Sequence, residues 1–199
     1  REIPGVSSEP PMKPAEWVVL TSLAAASGVV LHDWWSGEGP PRSPPPVPSK
    51  RQRLGTLVHS FSVCLFAGGI LLSTVYEQLV AVSGPEEALS WWVQTVPSID
   101  GFFVVPSLAI AMISGVRKTK DKYGSLQRSP KHVKLTLRLL LGFGLWWGFF
   151  DRTSQLKAAE CPDAECIRAV LLSRFTTNIV SCMLVVAIFA TMVLKPGLS

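Results

Sequence analysis

Long apolar stretches constrain this chain more than any other feature of its sequence. Residues 99–115 read IDGFFVVPSLAIAMISG, and with their flanks they form an apolar run over residues 93–116. A helix crosses the hydrocarbon of a bilayer with about 20 mostly apolar residues, so this run is long enough to span. Comparable runs occur at residues 54–82, 132–150 and 167–194. The sequence therefore predicts an all-α transmembrane helix bundle with four spans in a domain over residues 54–199.

Composition favours a membrane protein over a soluble enzyme or a nucleic-acid-binding domain. Of the 199 residues, 48% are hydrophobic and only 17% are charged, and apolar blocks on this scale suit lipid better than a soluble core. The formal net charge is +5, but the basic residues flank the apolar runs, as topology determinants do. Short motifs typical of zinc, dinucleotide, phosphate and serine chemistry do not occur in the sequence. We therefore expect no catalysis, no metal site, no cofactor and no nucleic-acid partner.

Residues 1–53 form an N-terminal region that is rich in proline. Residues 17–31 carry no charge and are bracketed by Trp17 and by Trp34 with Trp35, a pattern typical of aromatic belts at both faces of a membrane. Because this run is short, a helix over about 16–35 is equally compatible with spanning and with lying docked or interfacial, and a leftover signal-like segment is a third alternative. The spacer at 36–49 is too rich in proline to be helical and is expected to be extended. The bundle therefore has four spans, or five if the first helix crosses.

The charged connections predict which ends of the spans share a face of the membrane. Lys50, Arg51 and Arg53 precede the first run, the basic stretch 117–134 joins the second and third, and Lys195 follows the fourth. The connections at 83–90 and 151–168 are acidic or mixed. The positive-inside rule then places every basic connection on one side.

An organellar inner membrane is the expected location. The chain starts at Arg1 without an initiator methionine, which fits removal of a targeting segment after import. We favour the mitochondrial inner membrane over the plastid thylakoid, with the basic connections on the matrix or stromal side. A phospholipid such as cardiolipin is expected to bind the basic residues there, which are Arg117, Lys118, Lys120, Lys122, Arg128 and Lys131.

Two ionisable residues lie at matching depth inside predicted spans. Asp100 and Arg174 are each about seven residues from the acidic side, so at 1.5 Å per residue both lie roughly 10 Å below the surface. Burying either charge alone in hydrocarbon is costly, which predicts an ion pair between them. Asn178, one helical turn deeper than Arg174, is expected to join the pair. We interpret this cluster as a structural lock, with a proton or ion pathway as the alternative.

Cysteine placement predicts one disulfide bond. Cys161 and Cys166 lie in the sequence CPDAEC on the side opposite the basic connections, where an intermembrane space, lumen or periplasm permits disulfide formation. We favour a bond between these two, with two free thiols as the alternative. Cys64 and Cys182 lie inside apolar runs and are expected to be reduced packing residues.

Two histidines near the basic side offer a different chemistry. His59 lies one to two turns into the first run and His132 begins the third. Imidazole is a common ligand of metals and haem, so these two are candidate haem ligands, although a histidine bonded to a loop or a lipid headgroup is the more ordinary interpretation. Glu77, near the other end of the first run, is expected to extend its carboxylate out to the interface.

Glycines mark surfaces where helices are expected to approach closely. In the first run Gly68 and Gly69 follow Ala67, and in the third run Gly142, Gly144 and Gly148 alternate with bulky aromatic residues. Small residues of this kind are typical of helix–helix interfaces in membranes.

Three stretches resemble the uncharacterised bacterial family of small four-helix integral membrane proteins designated DUF2269. The first is Leu57-Val58-His59 followed by Gly68 and Gly69, and the second is the order Asp100, Phe102, Phe103, Pro106, Ser114 and Gly115. The third is the closing Met192-Val193-Leu194-Lys195-Pro196. The resemblance covers residues 54–196 and implies a four-helix fold without implying a reaction.

These observations favour an accessory, non-catalytic subunit of a large organellar inner-membrane assembly, with a respiratory complex as the preferred example. Its expected partners are other membrane subunits and lipids. A haem- or quinone-binding electron-transfer protein using His59 and His132 is one alternative. A small transporter or proton channel through Asp100 and Arg174 is the other.

Overall fold

The structure, a computed structural model, describes residues 13–36 and 49–195. These residues are helical almost throughout, and no strand occurs among them. The helices are α1 (Pro14–Trp35), α2 (Lys50–Ser83), α3 (Glu86–Ile99), α4 (Val105–Tyr123), α5 (Lys131–Trp146), α6 (Arg152–Ala159), α7 (Ala164–Ser173) and α8 (Phe175–Leu194). The extended tail and spacer predicted from the prolines fall mainly on residues 1–12 and 37–48, which lie outside the described residues.

Within the described residues, five helical segments are long and apolar enough to cross a membrane. They are Pro14–Trp35, Lys50–Ser83, Glu86–Tyr123, Lys131–Ala159 and Phe175–Leu194. The third segment joins α3 to α4 and the fourth joins α5 to α6, each through a π-helical turn. The all-α prediction is confirmed, and the apolar runs seen in the sequence form the central parts of these longer helices.

Helix α1 packs along α4 and runs in the same direction. Near its start, Ala15 lies so close to Gly101 that a Cβ at position 101 would be 2.8 Å from the Cβ of Ala15. Near its end, the buried carboxylate of Asp33 lies 3.0 Å from Nζ of Lys120 and accepts a 3.2 Å hydrogen bond from the N–H of Leu126. For α1, the sequence is compatible with a spanning helix and with a docked one. In the structure, α1 lies against the bundle along its length.

The third and fourth segments each contain one π-helical turn. The first turn spans Asp100–Val104, and the N–H of Val105 donates to the carbonyl of Asp100, five residues back. The second spans Trp147–Asp151, and the N–H of Arg152 donates to the carbonyl of Trp147 in the same way. Each turn carries one buried aspartate. Single π-helical turns inside α-helices are frequent at functional sites.

Two apolar clusters fill the interior. The larger one joins α1, α2, α4, α5 and α8, and includes Phe66 and Phe143, whose rings meet edge to face with centroids 5.1 Å apart. The smaller one joins the last turns of α2 to α3, α6 and α7, and includes Leu89, Trp92 and Leu171. The two clusters occupy different levels along the helices.

A polar layer separates these two clusters. On α2, Glu77 lies between Ile70 of the larger cluster and Val80 of the smaller one. Asp100, Asp151 and Arg174 take the corresponding positions on the other long segments. Asp100 lies between Val96 and Val104, Asp151 between Trp147 and Ala158, and Arg174 between Leu171 and Val185. We define the polar layer as Glu77, Asp100, Asp151, Gln155, Arg174 and Asn178, all of which are buried.

Several helix ends differ from the predicted boundaries. Helix α4 continues to Tyr123 and is ended by Gly124, whose φ of 83° lies in the left-handed region that favours glycine. The connection to α5 is therefore shorter than predicted, and its basic residues Arg117, Lys118, Lys120 and Lys122 lie on the last turns of a helix. The fourth predicted run is divided into α7 and α8 at Arg174.

Candidate functional site

Arg174 is the centre of the polar layer. It occupies the junction between α7 and α8 and is only 2% exposed. Its Nε donates to Oε1 of Glu77 and its Nη2 donates to Oδ1 of Asp151, each at 2.8 Å. Its Nη1 donates to the backbone carbonyl of Asp151 at 3.0 Å and to Oγ of Ser154 at 2.8 Å. The guanidinium, a planar fork of N–H donors, thereby ties α2 and the second π-helical turn to the start of α8.

Glu77 accepts hydrogen bonds from α3, from α8 and from Arg174 at the junction of α7 and α8. Besides the bond from Arg174, its Oε1 accepts a 2.7 Å hydrogen bond from Nδ2 of Asn178. Its Oε2 accepts a 3.2 Å hydrogen bond from Nε1 of Trp92. Both carboxylate oxygens are therefore hydrogen-bonded, as a polar group that is only 3% exposed requires.

Asp100 belongs to the same layer but has a different partner. Its carboxylate is 3% exposed, and Oδ2 accepts a 2.8 Å hydrogen bond from Nε2 of Gln155. The other side-chain atom of that amide, Oε1 of Gln155, is buried and has no hydrogen-bond partner within residues 13–36 and 49–195. The polar layer is thus fully bonded around Arg174 and incompletely bonded around Asp100 and Gln155.

The structure corrects the predicted ion pair. Asp100, Arg174 and Asn178 lie in one layer, as the depth argument predicts, but Asp100 and Arg174 are not paired directly. Arg174 pairs with Glu77 and Asp151 instead. The prediction that Glu77 extends to the interface is wrong, because α2 continues past it and α3 and α7 pack around that end of the helix.

Three members of the layer were not predicted from the sequence: Glu77, Asp151 and Gln155. A signal was available for Glu77, which is the only acidic residue in the apolar run 54–82, as Asp100 is in its own run. Asp151 and Gln155 follow the aromatic end of the third run, where a polar residue is expected at an interface. Their burial depends on the continuation of this segment as α6.

The composition of the layer allows two kinds of chemistry. The layer contains three carboxyl groups and one guanidinium, so the ionised layer has an excess of negative charge. The bonds around Arg174 can lock helices together, since removing one partner of a buried ion pair leaves an uncompensated charge. The excess negative charge can also attract a cation, because charges interact strongly where water is scarce.

A second candidate site lies between α2, α4, α5 and α8, at the level of the basic residues. It is a cavity of about 300 Å³ whose mostly apolar lining includes both candidate haem ligands, His59 and His132, together with Lys118. Nδ1 of His59 lies 3.1 Å from the carbonyl oxygen of Ala111 and 3.0 Å from Oγ of Ser114. Nδ1 of His132 is buried without a hydrogen-bond partner in the part of the chain that the structure describes.

The remaining predicted residues lie at the two ends of the bundle. At one end, the disulfide between Cys161 and Cys166 joins the turn after α6 to the start of α7. Cys64 and Cys182, which lie within α2 and α8, are free. The six residues expected to contact lipid headgroups are all exposed at the other end. One of them, Lys120, forms the ion pair with Asp33 that fixes the end of α1.

No group of three or more His, Cys, Asp or Glu side chains among the described residues is placed to hold a metal ion.

Comparison of the chain with protein-family models, curated proteins and solved structures finds no match. The candidate functions therefore rest on the geometry of the two sites and of the outer surface, and the resemblance to the DUF2269 family stays a prediction.

Proposed function

We propose that this protein is a non-catalytic accessory subunit of a larger membrane assembly, in which its buried polar layer keeps the bundle rigid and its outer helices bind neighbouring subunits. The observation that carries the proposal is the open space around the glycines of α5 and of the turn that follows it. At Gly142, Gly144 and Gly148, an added Cβ would meet no atom within 4 Å, apart from the helix's own backbone and the glycine's chain neighbours. These glycines serve no close packing inside the described part of the chain.

The spacing of these glycines supports a partner helix. Gly144 and Gly148 form the sequence GLWWG, which has the small-xxx-small pattern that lets two membrane helices approach closely. Gly69 is a contrasting case within the chain, since a Cβ there would lie 2.9 Å from Cγ2 of Val104. Gly69 of α2 is therefore used internally, whereas Gly144 and Gly148 are available to another protein.

We place the assembly in an organellar inner membrane, with the mitochondrial membrane and its respiratory complexes as the preferred setting. The basic residues at the end of α4 and in the following connection support this orientation, because such residues favour the matrix or stromal side. The same residues would bind the headgroups of an anionic phospholipid such as cardiolipin. In this orientation the disulfide turn would lie on the side of the membrane opposite the basic residues, and α1 would be a fifth span.

The experiment that tests the proposal is native electrophoresis in mild detergent, with mass spectrometry of the proteins that comigrate. Wild-type protein is expected in a band much larger than its own mass. The double variant Gly144→Leu/Gly148→Leu should no longer migrate in this band, because two leucines block a close helix approach. The melting temperature of the isolated chain should stay the same. The matched control is Val186→Leu on α8, which adds bulk at a position that is 60% exposed. Comigration of the double variant at the wild-type size would contradict the proposal.

A second candidate function is the binding of a small lipophilic molecule in the histidine cavity. The observation that favours it is that His59 and His132, far apart in sequence, line the same cavity. A volume of about 300 Å³ lies at the lower end of the range for small-molecule sites. It suits a quinone ring, whose carbonyl oxygens accept hydrogen bonds from imidazole, better than a haem macrocycle.

Equilibrium binding of a short-chain ubiquinone analogue to the purified chain tests this candidate. The variant His132→Phe is expected to lose the affinity, because the unpartnered nitrogen is its main polar contact. His32→Phe, a substitution of an exposed histidine outside the cavity, is expected to bind normally. Equal affinities for the two variants would exclude the site, and a Soret band in the purified wild-type chain would favour haem instead.

A further inference from the structure

A small internal cavity lies within the polar layer. It holds about 10 Å³, which is close to the space required by one water molecule or one small ion. Its polar lining comprises Asp100, Gln155, Asp151, Glu77, Arg174 and Asn178, together with hydroxyl-bearing side chains of α2 and α8, which are Ser73, Thr74 and Ser181. The lining is therefore rich in oxygen atoms, which are the ligands that hard cations prefer.

Gln155 provides an independent indication that something occupies this cavity. The residue is 6% exposed, and its Nε2 is fixed by the 2.8 Å hydrogen bond to Asp100. Its Oε1 is left buried without a donor among the described residues. Because buried polar atoms in proteins are almost always satisfied, an unpartnered carbonyl oxygen beside a carboxylate indicates a missing donor or cation.

The charges around the cavity favour a cation. Glu77 and Asp151 share the single guanidinium of Arg174, so the carboxylate of Asp100 adds to an existing excess of negative charge. The nearest cation of α6, Arg152, pairs with Glu16 of α1 at 3.4 Å. Among the described residues, the polar layer forms ion pairs only through Arg174.

We propose that this cavity binds one monovalent cation, either a proton or an alkali-metal ion, held by the carboxylate of Asp100 and Oε1 of Gln155. An alkali ion would be coordinated by both oxygens. A proton would reside on the Asp100 carboxyl group, with the amide of Gln155 rotated so that its Oε1 accepts the O–H. In either case the excess charge falls by one and the unpartnered oxygen gains a partner. This inference is independent of the proposed role in an assembly.

Thermal unfolding of the full chain in nanodiscs of uncharged lipid tests the proposal, with choline chloride as the reference salt. A site that binds only in the folded state raises the melting temperature in proportion to the logarithm of ligand concentration. For an alkali ion we expect a rise of about 5 °C over a roughly hundredfold range of NaCl, LiCl or KCl. For a proton we expect the melting temperature to fall as the pH rises, since the folded state then holds a proton that the unfolded state releases.

Three variants make the test specific. Asp100→Asn removes the carboxylate and should abolish the response, whether to alkali ions or to pH. Gln155→Met keeps the carboxylate of Asp100 and removes the amide oxygen, so at least a tenfold higher alkali-ion concentration should be needed for the same rise in melting temperature. This variant also tests the proposal if Asp100→Asn does not fold. Asp33→Asn alters a buried carboxylate outside the cavity and should keep the alkali response. Equal responses of wild type, Asp100→Asn and Gln155→Met to both alkali ions and pH would overturn the proposal and leave a water molecule as the occupant.

Discussion

Arg174 shows how a single residue can determine the stability of a membrane bundle. Its guanidinium serves two carboxylates, a backbone carbonyl and a hydroxyl at the same time. A buried charge is tolerated in an apolar medium only when its partners are complete. The geometry of the polar layer therefore depends on this side chain more than on any of the carboxylates.

We expect Arg174→Leu to destabilise the isolated chain by about 3–5 kcal/mol, because it leaves Glu77 and Asp151 buried without their cation. This corresponds to a fall in melting temperature of roughly 10 °C for a chain of this size. Arg174→Lys should lie between wild type and Arg174→Leu, since an ammonium group cannot bridge both carboxylates with planar geometry. Thermal unfolding in mild detergent measures both variants.

Arg117→Gln is the matched control for these substitutions. It removes a cation from an exposed position on α4, where the effect on stability should stay within about 0.5 kcal/mol. If Arg174→Leu melted at the same temperature as Arg117→Gln, the polar layer would not be a structural lock.

The sequence predicted that charged residues meet inside the bundle, but it did not identify the correct partners. Depth along a helix follows from counting residues, which is why Asp100, Arg174 and Asn178 lie in one layer. Direction around a helix does not follow as easily, because lipid and protein interior are both apolar and hydropathy does not distinguish the two faces of a span. Glu77 is marked in the sequence as the one acidic residue of its apolar run, but hydropathy does not indicate that Glu77, rather than Asp100, faces Arg174.

At the level of whole helices, the interruptions coincide with the polar layer. Both π-helical turns and the junction between α7 and α8 lie at this level, and only α2 passes through it as a regular helix. An irregular turn redirects side chains that a regular helix would point elsewhere. The apolar runs predicted where helices occur, whereas these local irregularities depend on tertiary contacts that a hydropathy pattern does not contain.

Adjacent glycines of α2 provide a matched test of helix packing. We expect Gly69→Leu to destabilise the chain by about 1–3 kcal/mol, because a Cβ there already lies 2.9 Å from Cγ2 of Val104 and overpacking strains the contact. Gly68→Leu is the control, since a Cβ at that position would meet no neighbouring atom within 4 Å. Thermal unfolding of both variants should show a loss for position 69 only, and equal losses would place the contact surface of α2 elsewhere.

For the molecule as a whole, the position of α1 determines the topology. It runs in the same direction as α4, with one end near Gly101 and the other held by Lys120 and Leu126. If α4 crosses the membrane, a helix packed along it crosses as well, and the number of spans is then five. The sequence could not decide this point, because the short uncharged run 17–31 also suits an interfacial helix.

If all five segments cross the membrane, the two ends of the described chain lie on opposite faces of it. We therefore expect an epitope tag inserted before Lys13 and a tag placed after Lys195 to be accessible from opposite sides, as measured by protease protection of intact organelles or vesicles. The native cysteine turn is the internal reference, since Cys161 and Cys166 should share a face with the first tag. Two tags on the same face would mean that α1 lies on the membrane surface.

The order of residues in the polar layer has a consequence for biogenesis. Glu77, Asp100 and Asp151 all precede the arginine of the polar layer in the chain, and Glu77 and Arg174 are 97 residues apart. At typical synthesis rates of roughly 5–20 residues per second, the last helix follows α2 by about 5–20 s. During that interval the carboxylates of Glu77 and Asp151 lack their guanidinium. We therefore expect an insertase or a partner chain to shield the nascent bundle until its final helix emerges.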